Sequence, residues 1–319
     1  MRYGLTLLKG LAAFGVVGCH LFLAPVTQCA DKALHYCDLS VAVFGAVSGY
    51  LLLLSFDEKI KCPDFSLRRL ILHRAWRILP AYFFWTGVFL VASPILNVLV
   101  RHETLDERYL TVAFWCSAIL RGGSSTHLWY LAHLFWWSLL LYALWGVSFR
   151  VFAHWISMLL LAFASLGVCV GVGGEFCDYG LRLLAFMSLG GALARLNPVL
   201  SLVKKSSWIV LIVVSLALHW VLPAHAYIRD FIVVVVLVPF FARDDWSHSR
   251  LCGIIGANSF GVYLVHPLIT MAFSIGCKHL FGSPIGLPVL VMDWLIVFWI
   301  SLLLSWVLRT NCYTRWSVT

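Results

Sequence analysis

Charged side chains are scarce in this chain: only 12% of its 319 residues are Asp, Glu, Lys or Arg, whereas 62% are hydrophobic. Such a composition is typical of a polytopic membrane protein. The sequence also lacks a C-x-x-C pair, a G-x-S-x-G motif and a Walker loop. These absences argue against a zinc site, a serine hydrolase and a nucleotide-driven mechanism. We expect no metal. We also expect no nucleic-acid partner, because the basic residues of a membrane protein are sorted by side.

The basic residues predict which helix ends face the cytoplasm. Segment 57–77 contains six Lys or Arg residues against three acids, so the positive-inside rule places it in the cytoplasm. We then expect both termini on the cytoplasmic side of the membrane. No A-x-A cleavage pattern follows the first apolar run, so we do not expect a signal peptide. The ten expected spans lie near 5–24, 39–56, 78–99, 128–147, 151–172, 181–195, 207–222, 230–242, 258–275 and 289–308.

One apolar run is too short to be a span. It covers residues 109–120, between two polar segments that the topology places outside. A run of this length predicts a re-entrant or interfacial segment. Because no linker or soluble segment interrupts the sequence, we predict one all-α membrane domain over residues 1–319.

Two polar residues stand out in the first span, LKGLAAFGVVGCHLFL. Lys9 and His20 are eleven residues apart, so a helix places them on one face, about 16 Å apart along its axis. Each has an ordinary interpretation, since a lysine near a helix start snorkels to water and a histidine near a helix end sits at the interface. A polar group at the depth of His20 is also a candidate for function.

Five phrases of the sequence, in order, resemble those of the acyltransferase-3 family of integral membrane acyltransferases. They are KGLAAFGVVGCH, DLSVAVFGAVSGYLL, FSLRRLILHRAWRILPAYFFW, HLWYL and SFGVYLVHPLI. The family's first-helix phrase has an arginine, ten residues and a histidine, and this chain has Lys9 in the arginine position. Lysine keeps the charge but loses the planar, bidentate fork of arginine, so it acts as a point-charge contact.

The resemblance implies an O-acyltransferase of a bacterial plasma (inner) membrane, similar to the short stand-alone O-acetyltransferases. Such an enzyme would move an acetyl or other short acyl group from cytosolic acetyl-CoA to a hydroxyl of an extracytoplasmic saccharide or lipid-linked glycan. His20 would be the base or the acyl relay, with Lys9 as the second catalytic candidate. The donor is expected to be acetyl-CoA, whose phosphates need cations. The candidates for that contact are Arg68, Arg69, Arg74 and Arg77.

Other polar or aromatic residues within the matched phrases are candidates for substrate binding. His266 lies in the middle of its expected span, where an ionisable group is costly and favours a cavity. Pro267 follows it and should loosen the backbone. The complete set of substrate-binding candidates is His127, Trp129, His266, Ser48 and Tyr50. The expected partners are therefore acyl-CoA, a saccharide acceptor and membrane lipid.

The same polar residues also fit an alternative function. A transporter of a small polar solute could use the same central cavity, and it would differ from an acyltransferase by releasing no CoA.

The topology places four cysteines outside, where they could form disulfides or be small apolar side chains. These four are Cys29, Cys37, Cys177 and Cys277.

Overall fold

Helices form the regular structure of this protein in its computed structural model. The structure describes residues 3–21, 37–101, 111–121, 127–148, 154–172, 175–221, 226–243, 246, 249–281, 286–311 and 314–318. The α-helices in these ranges are α1 (Tyr3–Cys19), α2 (Leu39–Ile60), α3 (Leu67–Arg101), α4 (Val112–Arg121), α5 (Trp129–Ser148), α6 (His154–Val172), α7 (Glu175–Leu200), α8 (Lys205–Val221), α9 (Ala226–Ala242), α10 (Arg250–Phe281) and α11 (Leu287–Thr310). A 3-10 turn, Arg315–Ser317, follows. The prediction of an all-α fold is confirmed for the described residues, which contain no strand.

The helix lengths support an integral membrane protein, but the expected number of ten spans is not confirmed. Within the described ranges, five helical segments are long and apolar enough to cross a membrane: 39–60, 67–95, 179–200, 250–273 and 287–310. Three further apolar segments are shorter: 3–19, 158–168 and 205–218. A helix rises only 1.5 Å per residue, so these segments alone are shorter than an undistorted hydrocarbon core.

Helix α1 packs against four other helices, which are α2, α9, α10 and α11. Helix α2 packs on α7, which packs on α6, whereas α3 packs on α5 and on the 3-10 turn. The indole N–H of Trp85 in α3 donates to the carbonyl of Ser317 in that turn at 2.8 Å. This arrangement brings together the end of α1, the start of α5 and the middle of α10.

One end of the bundle, which we call the basic end, carries Arg77, Arg195 and Arg309. Arg195 in α7 makes an ion pair with Asp57 in α2 at 2.7 Å. Helices α1, α3 and α10 all begin near this end, which is the end that the charge pattern predicts to be cytoplasmic. We call the opposite end the far end.

The short apolar run forms helix α4, which packs on α3 and α5. Its boundaries, Val112–Arg121, differ slightly from the expected 109–120, and ten residues are too few to span a bilayer. The hydroxyl of Tyr82 in α3 lies 2.9 Å from the carbonyl oxygens of both Ala118 and Ile119. These carbonyls belong to the last turn of α4, where no helical N–H remains to bond them. Tyr82 therefore satisfies carbonyls at the end of α4. A re-entrant or interfacial position of this helix stays a prediction.

Glycines allow α2 and α7 to approach closely. A Cβ atom on Gly49 would overlap the carbonyl of Met187, and one on Gly190 would overlap the carbonyl of Ala46. Small residues in such positions let two membrane helices bring their backbones into contact. The phrase SGY thus has a packing role at its glycine, beside any role of Ser48.

Gly49→Ala is expected to lower the melting temperature of the detergent-purified protein by several degrees. The added methyl meets backbone rather than a flexible side chain, and overpacking of this kind costs about 1–3 kcal/mol. The matched control is Gly87→Ala, because no heavy atom of the described residues lies within 4 Å of that Cβ position. The control should melt at the wild-type temperature or slightly above it. Equal melting of both variants would contradict the close approach.

Candidate functional site

Three histidines from three separate parts of the chain meet inside the bundle. His20 follows the last residue of α1, His127 precedes α5 by two residues, and His266 lies in the middle of α10. Their ring centroids are 5.1 Å apart for His20 and His266, 5.7 Å for His127 and His266, and 6.2 Å for His20 and His127. His127 and His266 are almost completely buried. We call this group the histidine triangle.

The backbone of α10 fixes the orientation of His266. Its Nδ1 lies 3.1 Å from the carbonyl oxygen of Val262, one turn earlier. A carbonyl can only accept, so Nδ1 carries the proton and Nε2 keeps its lone pair. The ring also interacts with the carbonyl of Tyr263, which Pro267 leaves without a helical donor. Among the described residues, the buried Nε2 has no hydrogen-bond partner.

Aromatic side chains and one hydroxyl hold His127 in place. The hydroxyl of Tyr263 donates to the main-chain carbonyl of His127. The ring of Phe89 in α3 meets the imidazole edge-on at a centroid distance of 4.8 Å. Helices α3 and α10 therefore both hold His127 in position.

A small cavity adjoins the histidine triangle. Its volume of about 20 Å³ is sufficient for roughly one water molecule. The residues that line it are Val16, His20, Val41, Phe44, His127, Trp129, Tyr130 and Tyr263. A substrate larger than water therefore requires aromatic side chains of the lining to move.

A polar connection extends from the cavity towards the basic end. The hydroxyls of Tyr130 and Ser48 are 3.4 Å apart, and the charge of Arg74 acts on Tyr130. The Nε of Arg74 donates to the hydroxyl of Ser138 in α5 at 3.2 Å. Arg74 thus points into the bundle, unlike Arg77, which is exposed.

Cations from three helices gather at the basic end itself. Lys9 in α1 is half-buried, and the positive charges of Arg77 in α3 and Arg309 in α11 both act on it. The guanidinium of Arg309 donates to the carbonyl of Ala257 at 2.6 Å. Mutual repulsion among three cations favours binding of an anion between them. Arg309 was not among the residues that the sequence analysis selected.

The structure brings most of the predicted site residues together, with clear exceptions. His20, His127 and Trp129 line the cavity, His266 lies against it, and Lys9 faces helices at the basic end. Tyr50 lies fully buried in the apolar core, outside the cavity lining. Arg68 and Arg69 are exposed near the start of α3. Substrate and donor contacts by all of these residues stay predictions.

An ion cluster with two buried members lies next to the histidine triangle and was not predicted from the sequence. Arg182 in α7, only 4% exposed, donates to the carboxylates of Asp38 at 2.6 Å and Asp230 at 2.5 Å. Asp38 also acts electrostatically on His20. A carboxylate in this position would stabilise a positive charge on the imidazole of His20. The available signal was an arginine inside an expected span, which requires partners in a membrane.

The sequence left open whether the four outer cysteines form disulfides or are small apolar side chains. Cys29 lies outside the described residues, as do the side chains of Cys177 and Cys277, whereas the side chain of Cys37 is buried. Both interpretations of the four cysteines stay open. Within the described residues, no group of three or more His, Cys, Asp or Glu side chains has an arrangement that could hold a metal ion.

Comparison with known proteins gives one match. A family model described as an acyltransferase domain matches residues 2–310, nearly the whole chain. This match confirms the resemblance that the five phrases indicated. No curated protein and no solved structure matches the chain.

Proposed function

We propose that this chain, which belongs to the acyltransferase-3 family of integral membrane acyltransferases, transfers an acetyl or other short acyl group from acyl-CoA to a saccharide hydroxyl. Acyl transfer in general follows from the family. The observation that supports the finer proposal is the histidine triangle beside a cavity in the interior of a membrane protein. We further propose that the membrane is the bacterial plasma membrane, with the basic end in the cytosol.

In the direct route, His20 is the general base. It takes the proton of the acceptor hydroxyl while the hydroxyl oxygen attacks the thioester carbonyl. The C–O bond of the new ester forms, the C–S bond breaks, and the CoA thiolate leaves and is protonated. Asp38, which Arg182 holds near His20, stabilises the imidazolium that results.

In the relay route, His20 is the nucleophile. Its ring nitrogen attacks the thioester, CoA leaves as the thiol, and an acyl-imidazole forms. The acceptor hydroxyl then attacks the acyl group while His266 takes its proton. The C–N bond to His20 breaks, and the proton passes from His266 to the released ring nitrogen, which restores both neutral histidines. The unprotonated Nε2 of His266 suits this role, and the two rings are 5.1 Å apart. Both routes give the same products.

The basic end is the proposed site of acyl-CoA binding. The phosphates of CoA would contact Lys9 and Arg77, with Arg309 as a third cation. Arg74, which reaches inward to Ser138, would guide the thioester arm towards Tyr130. Arg68 and Arg69 are exposed and would attract the donor at longer range.

The test of the proposed function is release of CoA thiol from acetyl-CoA by the detergent-purified protein. Release should rise when a crude lipid-linked glycan extract is added, and the acyl label should appear in the glycan fraction. A protein that neither releases CoA nor binds it would contradict the proposal. The transport alternative would then predict solute uptake into protein-containing vesicles.

Arg77→Gln is expected to raise the KM for acetyl-CoA about tenfold with little change in kcat, since it removes one charge-assisted phosphate contact. The comparison is Arg250→Gln, which removes an exposed arginine at the start of α10. Steady-state CoA release measures both. If the two variants lost donor affinity equally, the effect would reflect overall charge rather than a site at Arg77.

A further inference from the structure

A tyrosine hydroxyl lies beside the histidine cavity and takes no part in bond making in either route of acyl transfer. Tyr130, in the first turn of α5, lines the cavity together with His20 and His127. Its hydroxyl is 3.4 Å from that of Ser48 in α2, and this pair begins the polar connection to Arg74. A buried polar group in such a place requires an explanation, in the packing or in the chemistry.

The proton of the Tyr130 hydroxyl is available to the cavity. Tyr263 is the other tyrosine among the described residues that line the cavity, and its hydroxyl donates to the main-chain carbonyl of His127. The hydroxyls of Tyr130 and Ser48 can each be the donor in the bond between them. When Ser48 donates, the Tyr130 oxygen accepts, and the O–H of Tyr130 is left for a ligand.

An inward-pointing cation makes this hydroxyl a stronger donor. The positive charge of Arg74 acts on Tyr130, and the bond from Nε of Arg74 to the hydroxyl of Ser138 orients that side chain. A nearby positive charge stabilises negative charge on a phenol oxygen, so the O–H group is polarised towards donation. Charges act more strongly in the interior of a bundle than in water.

Neighbouring aromatic rings hold the ring of Tyr130 in place. Its centroid is 5.3 Å from that of Tyr263 and 6.3 Å from that of Phe44. Both neighbours also line the cavity, and the Tyr130 side chain is only 5% exposed. A donor that is fixed in this way needs little reorganisation when charge develops on a substrate.

Acyl transfer places negative charge on one oxygen of the substrate. Attack of a hydroxyl or an imidazole on the thioester carbon moves the π electron pair of the C=O bond onto oxygen. The C–S bond breaks when that pair returns and the CoA thiolate leaves. A fixed donor that points at this oxygen, in a site that excludes water, lowers the barrier of the reaction.

We propose that Tyr130 is the oxyanion donor of this enzyme, whose hydroxyl donates a hydrogen bond to the carbonyl oxygen of the thioester. Tyr130 keeps its proton throughout, so the proton balance of both routes is unchanged. In the relay route, the same hydroxyl serves again when the acceptor attacks the acyl-imidazole. The inference rests on the proposed function, since it assigns a further catalytic residue to the acyl transfer.

Tyr130→Phe should lower kcat for CoA release from acetyl-CoA about 10²–10³-fold, which is the usual loss when one oxyanion donor is removed. The KM for acetyl-CoA should stay near its wild-type value, because the lost bond strengthens in the transition state. A tyrosine that only packs α5 against α2 would affect the melting temperature and leave kcat unchanged.

The matched control is Tyr142→Phe. Tyr142 also lies in α5 and is also subject to the charge of Arg74, but its ring stacks on Phe56 at 5.9 Å. Tyr142 is not among the described residues that line the cavity, so this variant should keep wild-type kcat. Full turnover by Tyr130→Phe, or equal losses from the two variants, would overturn the inference.

Infrared spectroscopy tests the carbonyl contact without turnover. The probe is acetonyl-CoA, a ketone that cannot release CoA, isotopically labelled at its carbonyl carbon and bound to the protein in lipid nanodiscs. A strong donor weakens the C=O bond, so wild type and Tyr142→Phe should lower the carbonyl stretching frequency below its value in water. Tyr130→Phe should abolish that lowering. The same frequency on wild type and on Tyr130→Phe would overturn the inference.

The two measurements separate this inference from the proposed function. CoA release by wild type that does not depend on Tyr130 would leave acyl transfer standing and reject the oxyanion donor. A frequency shift that depends on Tyr130, in a protein that releases no CoA, would leave the carbonyl contact standing and reject the proposed acyl transfer.

Discussion

His20→Ala protein should release CoA at least about a hundredfold more slowly than wild type, since a positioned acid–base group contributes about 10²–10⁴-fold. Its affinity for acyl-CoA should not change, because the proposed phosphate contacts lie at the basic end, about 16 Å away along α1. Added imidazole should restore part of the activity by occupying the space that the side chain leaves. Thiol release measures the rate, and thermal shift with CoA measures binding.

The control for His20→Ala is Leu11→Ala. Leu11 lies on the same helix and is 51% exposed, so its replacement removes outward-facing apolar surface and leaves the cavity intact. Leu11→Ala should keep wild-type turnover. If His20→Ala retained full turnover, His20 would be neither base nor relay, and His266 would become the candidate for both roles.

Arg182→Met should lower stability by about 3–5 kcal/mol, which is the usual cost of removing one partner from a buried ion pair. The variant leaves the carboxylate of Asp230, 3% exposed, without its guanidinium partner in the bundle interior. Adding Asp230→Asn should recover much of the loss, because it also removes the negative charge of the Asp230 carboxylate. The melting temperature in detergent measures the stability of the single and double variants. Effects of the two substitutions that do not add would identify Arg182 and Asp230 as a directly interacting pair.

Arg195→Met is the matched control for Arg182→Met. Arg195 makes a similar bond to Asp57 at 2.7 Å, but the two side chains are 34% and 20% exposed. Water can solvate the remaining carboxylate there, so the loss should be about 1 kcal/mol or less. Equal losses from the two substitutions would mean that burial of the Arg182–Asp230 pair does not raise the cost of breaking it.

The all-α class and most of the helices could be predicted from the sequence, because apolar runs mark where the helices lie. The exact helix boundaries were harder to predict. Helix α3 begins at Leu67 rather than near residue 78, because its basic first turns extend the helix beyond the apolar run that defined the expected span. Helix α10 likewise exceeds its expected span at both ends. Hydropathy reports the buried or lipid-facing part of a helix, and backbone hydrogen bonding continues past it.

The candidate site was predictable only one residue at a time. His20 and His266 could be selected because an ionisable group within a span is costly, but their contact depends on how α1 and α10 pack. Arg182 and Asp38 are 144 residues apart, and no local pattern indicates such a pair. The placement of Tyr50 in the core also required the packing of α2.

In the proposed mechanism, the histidine triangle passes an acyl group from a donor at the basic end to an acceptor at the far end. The measurement that tests this transfer most directly uses oriented proteoliposomes with radiolabelled acetyl-CoA on one side only and a lipid-linked glycan extract on the other. We predict label in the glycan when the donor faces the basic end, and none when the two sides are exchanged. Label that appeared only with donor and acceptor on the same side would contradict transfer through the bundle.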